Sequence, residues 1–412
     1  MSTSDTNMHL IHGGSFAKTI PLLPEIISFS LFEDDNDVEV TAKQATSTML
    51  GKYPMLRSKL VSKKGEKGEP QVWAEKGFFP NSVDDFFVCV DLTDKVPSPK
   101  GLTASAVDKY LNKHVIHRQS DPMSAKVQMK KGCRLFHVAL YKLPEKYFCL
   151  SLVVSHGLVD GAAYFHLSDE FIAHMNGETL SKPDLTWDHP LITRHESYDG
   201  ERDLATMSGP TFLFGALVCF LRTAICKRSH TQLTLDKEKI AQLKKELKKE
   251  DTPFLSTNDI VCAAIHQAYP KRHLQLMFKD RRSDVEGGEP HIAGNFISTI
   301  AYPTEYGKDP NNLRKMVQKG SFYETDEIPS SPILRGNYTI VDSWASVQKD
   351  YRVFPSKTKG VYFCPHPMFI MGLPYDIAII YNMDEKHIGI SHNLYHSHTK
   401  RGSVELLEKM IA

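Results

Sequence analysis

The chain has 412 residues, 41% hydrophobic and 24% charged, a composition that excludes a disordered or fibrous polypeptide. That length exceeds what one hydrophobic core supports, so two domains of about 200 residues each are expected. Lys and Arg number 50 against 49 Asp and Glu, and the resulting net charge of +1 provides no global field to attract nucleic acid or an anionic membrane.

In chain order, residues 1–20 lack the basic start and long apolar stretch of a secretory signal. A strand-like run follows over Ile26–Phe32. Ala42, Ala45, Met49 and Leu50 then recur at helical spacing in Val40–Lys52 and predict a helix ending at Gly51. Tyr53–Val61 leads into a polar hairpin tip at Ser62–Glu69. Two strands are predicted at Cys133–Leu143 and Tyr147–Ser155, with Pro144-Glu145-Lys146 as the turn. The second is apolar on nearly both faces, which places it centrally in its sheet. After a turn at His156–Gly161 comes a predicted amphipathic helix over Ala162–Met175, with Ala163, Leu167, Phe171 and Met175 on one side.

Thr179–Gly209 is polar and reads as a crossover between lobes. Phe212–Cys226 is almost wholly apolar but is interrupted by Arg222, and it falls short of the roughly 20 residues a spanning helix needs. It is expected to be a buried or cleft-lining helix, with a peripheral lipid-facing element as the alternative. A second lobe opens with a strand at Thr231–Leu235 and a helix at Lys237–Glu250. Ser256-Thr257-Asn258-Asp259 then caps a helix over Ile260–Tyr269. The expected division is 1–195, a crossover at 196–230 and 231–412. Seven cysteines are an odd number. Cys89, Cys149, Cys219 and Cys262 lie in apolar runs without CxxC spacing, which reads as reduced thiols in a cytoplasmic setting.

His-x-x-x-Asp occurs three times. His117 to Asp121 and His195 to Asp199 stand in polar stretches with no strand before, and read as accidental. His156 to Asp160 follows the central strand, is flanked by Gly157 and Gly161, and precedes a helix. Glycines let the backbone turn sharply and approach a ligand, so the imidazole can be presented at the end of a rigid strand. Neutral imidazole is suited to taking a proton near physiological pH. A satisfied core histidine is the competing structural reading.

His392, His396 and His398 fall within seven residues. The strand expected before them would send neighbours to opposite faces, and no carboxylate or thiolate accompanies them, so no metal is assigned. Neither a phosphate-binding glycine loop nor Gly-x-Ser-x-Gly occurs, which disfavours a nucleophilic serine.

From Thr41 onward the chain resembles the BAHD acyltransferases, within the wider superfamily of chloramphenicol acetyltransferases and peptide-synthetase condensation domains. The resemblance rests on Ser47–Pro54 (STMLGKYP), Ser155–Gly161 (SHGLVDG), Phe254–Gln267 with its STND, Gly294-Asn295 and Ser343-Trp344, in the family's order. Val353-Phe354-Pro355-Ser356-Lys357 stands where the family carries DFGWG, which marks a divergent member.

The resemblance implies an α/β protein of two chloramphenicol-acetyltransferase-like lobes, each a mixed sheet with packed helices, joined by a long crossover with a channel between them. It implies a monomeric enzyme of specialised metabolism that moves an acyl group from acyl-CoA to a hydroxyl or amine of a small molecule, with no tightly bound cofactor. His156 would be the general base. Asp160 would turn away from the acceptor and pair with Arg281, with Gly161 completing the turn. Asn295, Ser343 or Trp344 would hold the oxyanion or the acceptor. Lys244, Lys245, Lys248 and Lys249, near Ser256 and Thr257, would meet the phosphates of coenzyme A, unless the lysines are only a solvated helix face. A carrier-protein thioester as donor, or a non-catalytic ligand-binding role, are the alternatives.

Overall fold

The computed structural model describes residues 7–12, 23–34, 37–65, 70–119, 123–180, 182–187, 210–225, 228–269, 273–323, 328–348, 359–366, 376–395 and 402–412. The chain divides into two compact units. Unit 1 takes Met1–Gly200, Asp280–Phe296 and Asp350–Phe369, and unit 2 takes Glu201–Lys279, Ile297–Lys349 and Ile370–Ala412. Both are sheet-rich with packed helices, as expected for a mixed α/β protein. Asp280–Phe296 and Asp350–Phe369, which the sequence reading assigned to the C-terminal lobe, fall in unit 1, where Arg282 and Phe296 pair with Asp160 and Lys359–Pro365 pairs with Ile26–Glu33.

Unit 1 holds β1 (Met8–His12), β2 (Ile26–Glu33), β3 (Lys59–Lys64), β4 (Pro70–Glu75), β5 (Phe87–Asp91), β6 (Phe136–Lys142), β7 (Tyr147–Val154) and, from late in the chain, β12 (Lys359–Pro365). One sheet runs β12-β2-β7-β6-β5 and a smaller one β1-β4-β3. β7 lies antiparallel between β2 and β6, with Cys149 to Val154 all buried, so a strand apolar on both faces is central. β12 pairs antiparallel with β2, setting Phe363 opposite Ser30.

The helices of unit 1 include α1 (Val38–Lys52), α2 (Ala104–His114), α3 (Ala125–Lys131) and α4 (Gly161–Met175). The expectation of an amphipathic α4 is corrected, because its residues are buried on every side except at Gly161 and His174. Its polar members are paired: Asp169 meets Lys182 at 2.9 Å, and Glu170 accepts from Lys52 and the Tyr53 hydroxyl. Helical spacing of the apolar residues could not reveal this, since burial of a carboxylate depends on cations supplied from elsewhere in the chain.

Unit 2 carries β8 (Arg228–Asp236), β9 (Leu274–Asp280), β10 (Ile297–Pro303), β11 (Tyr338–Ser343), β13 (Asp376–Asn382) and β14 (His387–Tyr395) in the order β10-β9-β11-β13-β14-β8. β9, β11 and β13 run parallel, and β13, β14 and β8 antiparallel. Its helices include α5 (Pro210–Ile225), α6 (Lys237–Leu247), α7 (Thr257–Ala268) and α8 (Pro310–Lys319). Ile240, Leu243, Ile260, Ala264, Ile380 and Ile390 are among the residues of its core.

α5 is the predicted apolar helix. It is not wholly buried: Phe214, Leu217 and Leu221 are each more than half exposed, while Gly215 and Cys219 are buried. Their spacing puts the three exposed residues along one side of the helix. Among the described residues no helix is long and apolar enough to cross a membrane. Val353–Lys357, His195–Asp199, His396 and His398 lie outside the described residues, and His392 is buried on β14 with its ring 4.6 Å from that of Tyr269. Cys89, Cys133, Cys149, Cys219, Cys262 and Cys364 are free thiols.

Gly389 on β14 faces Tyr381 on β13, and a Cβ there would lie 2.2 Å from the ring of Tyr381, which is fully buried. Overpacking of this kind costs about 2 kcal/mol. Gly389→Ala is therefore expected to lower the thermal denaturation midpoint by several degrees, and an unchanged midpoint would show that the Tyr381 ring has room to move.

Candidate functional site

The predicted His156 turn continues directly from the central strand. The Ser155 amide donates to the Leu135 carbonyl at 2.8 Å, and the amides of Leu158 and Val159 turn back to the Ser155 carbonyl at 2.9 and 3.3 Å. Gly157 is required by close packing: a Cβ would come within 2.7 Å of both Ala125 Cβ and Leu60 Cδ1. Gly161 has open space at that position, so its presence is not dictated by crowding.

Beneath the turn runs a buried polar row. The Ser155 hydroxyl accepts from the Gly157 amide at 3.2 Å and donates to Gln128 Oε1, and Gln128 Nε2 donates to Glu25 Oε1 at 2.7 Å. Glu25 Oε2 accepts from the Met123 amide at 3.0 Å. Burial pushes the Glu25 carboxyl up to about 7, against the opposing pull of the Met123 amide and the Gln128 side chain.

Asp160 closes the turn and begins α4. Its Oδ1 accepts from the Ala163 amide at 3.0 Å, which makes it the helix N-cap. The same oxygen accepts from Arg282 Nη2 at 2.9 Å, and Oδ2 accepts from the Phe296 amide at 2.9 Å. Its own amide donates at 3.0 Å to the carbonyl of Gly294, whose φ of 139° favours glycine. Burial alone would raise the Asp160 pKa. The Arg282 guanidinium and the two amide donors outweigh it and hold the carboxyl below the ordinary range.

The partner of Asp160 is thus Arg282, not Arg281. Arg282 also meets Asp280 at 3.0 Å, donates from Nε to the Ile292 carbonyl at 2.8 Å, and lies 4.9 Å from the Phe296 ring centroid. The Arg281 side chain pairs instead with Asp284 at 2.7 Å. Adjacent side chains leave the backbone in different directions, and in Lys279-Asp280-Arg281-Arg282 sequence cannot say which arginine faces inward.

His156 is only partly exposed, and its Nδ1 is buried with no hydrogen-bond partner among the described residues. Burial lowers its pKa from the ordinary imidazole value, partly opposed by its own carbonyl, the Asp160 charge and Asn295. The ring is therefore neutral at pH 7. Asn295 comes to this loop as expected but in another role. Its Nδ2 donates to the His156 carbonyl at 2.9 Å and lies 3.2 Å from His12 Nε2, so both amide hydrogens are engaged. Only its oxygen remains, and an acceptor cannot stabilise an oxyanion.

The other expected residues belong to unit 2. The Trp344 indole donates to Asp342 at 2.8 Å, while Ser343 Oγ is buried without a partner among the described residues. Ser256 forms a capping box with Asp259 at the start of α7, so its side chain has a structural use. Lys244 Nζ donates to Thr257 Oγ1 at 2.7 Å, which joins two of the predicted donor contacts, and Lys248 is exposed just beyond α6. His12, Gln128, Glu25 and Trp187, whose indole donates to the Leu158 carbonyl at 3.2 Å, were not singled out from sequence. Isolated polar residues far apart in the chain carry no spacing signal.

No family model matches the sequence, nor does any curated protein sequence. Solved structures do match. TRI101 of F. graminearum, in complex with coenzyme A and deoxynivalenol, superposes with a TM-score of 0.59 at 12% identity, over 95% of this chain and 96% of that one. Vinorine synthase gives 0.57 at 13%, over 98% and 94%. The first condensation domain of the calcium-dependent antibiotic synthetase, with a substrate analogue, gives 0.57 at 10%, over 96% and 91%. The fold is chloramphenicol-acetyltransferase-like. At these identities the likeness establishes architecture over nearly the whole chain.

Two outcomes follow from the loop's anchorage. Arg282→Gln leaves Asp160 buried without its counter-ion and is expected to cost about 3 to 5 kcal/mol in chemical denaturation, whereas Arg281→Gln costs about 1 kcal/mol or less. Equal losses would argue against the assigned pairing. Glu25 has a raised folded-state pKa, so the stability it contributes is fully present below 4.5 and is withdrawn as pH rises through about 7. That amounts to about 3 kcal/mol. Glu25→Gln should flatten the fall in stability between pH 5 and pH 8, and an equally steep fall in the variant would assign the dependence to another group.

Proposed function

We propose that the protein is an acyltransferase that moves an acyl group from a coenzyme A thioester to a hydroxyl or amine of a small molecule, with His156 as general base. The observation that carries this reading is the His156 imidazole, held neutral by burial at the exit of the central strand while Asp160 is turned away and locked to Arg282. Two of the matching structures hold coenzyme A together with a second small molecule, deoxynivalenol in one and T-2 in the other, which supports a coenzyme A thioester and a small-molecule acceptor here.

In this mechanism Nδ1 stays against the protein and Nε2 receives the acceptor's proton as the acceptor oxygen or nitrogen attacks the thioester carbonyl. A tetrahedral intermediate forms and collapses, the carbon–sulfur bond breaks, and the imidazolium returns the proton to the departing thiolate. No acyl-enzyme is required, because the base acts on the acceptor directly. Asp160 is not assigned to orienting the imidazole, because its oxygens accept from Ala163, Arg282 and Phe296. Its role is to fix the turn that presents the ring. Lys244, beside Thr257, is assigned to the donor's phosphates. The likeness to a condensation domain supports a carrier-bound thioester as the second reading.

A panel of acyl-CoA donors, followed by thiol release and by the mass of the acylated product, tests the proposal, with a phosphopantetheinyl carrier as the parallel arm. His156→Ala is expected to lower kcat by at least about a hundredfold while leaving the denaturation midpoint unchanged. Near-normal turnover in that variant would falsify the mechanism. Because burial lowers the His156 pKa, the acid limb of kcat/KM should lie below the ordinary imidazole value of about 6.5, and a limb at or above it would count against this imidazole as the base.

A further inference from the structure

The small sheet of unit 1 brings a pair of histidines to the His156 loop. Both are on β1. His12 is buried, and its Nε2 lies 3.2 Å from Asn295 Nδ2, which donates at 2.9 Å to the His156 carbonyl. His9 Nε2 lies 2.6 Å from the Trp187 carbonyl, and the Trp187 indole donates at 3.2 Å to the Leu158 carbonyl. Two separate routes thus run from one strand to two carbonyls of one turn.

Residues three apart on a regular strand point to opposite faces. β1 is not regular here. Against β4, His9 faces Ala74, Leu10 faces Trp73 and His12 faces Val72, so Ile11 is one extra residue. Ala74 and Val72 share a face of β4, and the inserted residue therefore brings His9 and His12 onto the same face. Bulges re-aim side chains in this way.

The proton positions follow from the partners. A carbonyl only accepts, so the Asn295 amide must turn its nitrogen, not its oxygen, to His156. Its second hydrogen then points at His12 Nε2, which must offer a lone pair, placing the His12 proton on Nδ1. His9 faces a carbonyl and must carry its proton on Nε2. The Nε2 atoms of two histidines on one strand are thereby held in opposite roles, a donor in His9 and an acceptor in His12.

We propose that β1 is a positioning element for the His156 turn, with His12, as the neutral Nδ1–H tautomer acting through Asn295, its principal positioning residue. His9, acting through Trp187, steadies the far side of the same turn. The inference deepens the acyltransferase reading and rests on it for the role of His156, but the placement of the loop can be read without turnover.

The variants His12→Phe and His12→Gln separate the two effects, since phenylalanine fills the space without an acceptor and glutamine restores one. The direct readout is NMR titration of the His156 ring. In His12→Phe the His156 midpoint is expected to move by half a pH unit or more, while His12→Gln stays near the parent. In the acyl-transfer assay, His12→Phe should lose about tenfold or more in kcat with KM for either substrate within about twofold, and adding His12→Phe to Asn295→Ala should cost nothing further. An unmoved His156 titration in His12→Phe overturns the proposal, as do equal shifts in both variants, which would indicate packing alone. If His12→Phe does not fold, an unshifted His156 titration in Asn295→Ala overturns it instead. Absence of acyl transfer in the parent defeats the enzymatic reading, and the titration still decides the positioning role.

Discussion

The buried ion pair between Asp160 and Arg282 is the constraint on which the candidate site depends. A carboxylate taken out of water is tolerable only when its charge and its lone pairs are answered, and here the answers come from Arg282, the Ala163 amide and the Phe296 amide. Those groups belong to the start of α4 and to the segment Asp280–Phe296. One side chain thus joins the exit of the central strand, the head of a helix and a piece of chain more than a hundred positions away. Other arrangements of the turn would leave an unpaired charge in the interior, and this is what gives the imidazole a fixed place.

The same pairing separates the histidine from its neighbouring acid. In a Ser-His-Asp arrangement the carboxylate orients the imidazole and stabilises its protonated form. The oxygens of Asp160 accept instead from Ala163, Arg282 and Phe296, and the aspartate acts on His156 through its charge, which with the His156 carbonyl and Asn295 partly opposes the lowering of the imidazole pKa by burial. In the proposed transfer this imidazole would hold the proton only briefly, between attack of the acceptor and departure of a thiolate. With no carboxylate bonded to the ring, its direction comes from the hydrogen-bonded backbone of the turn. Gln128 and Ser155 serve the Gly157 end, and Asn295 and Trp187 serve the carbonyls of His156 and Leu158.

Much of this was legible in the amino-acid order where the signal is local. An apolar run on both faces made β7 central, and the histidine just after it was the one copy of three with a strand before it and glycines around it. The STND sequence likewise declared the start of α7, as the capping box confirms. Readings failed where two distant segments decide the outcome. Arg281 and Arg282 are indistinguishable until their backbone meets Phe296. Asn295 looked like an oxyanion donor until both its hydrogens proved to be engaged. α4 looked amphipathic because its buried Asp169 and Glu170 are neutralised by Lys182 and Lys52, which no periodicity connects to it.

By itself, then, the sequence determined the central strand, the helix after it and which histidine is the candidate base, because spacing along a strand or helix is a property of the chain's own repeat. The tertiary structure alone decided which arginine answers Asp160, that β1 with its extra residue reaches the loop, and that Asp280–Phe296 and β12 join unit 1. Those outcomes turn on where polar groups far apart in the chain find their partners, and the need to satisfy buried charge and hydrogen bonds is met in space and not along the chain.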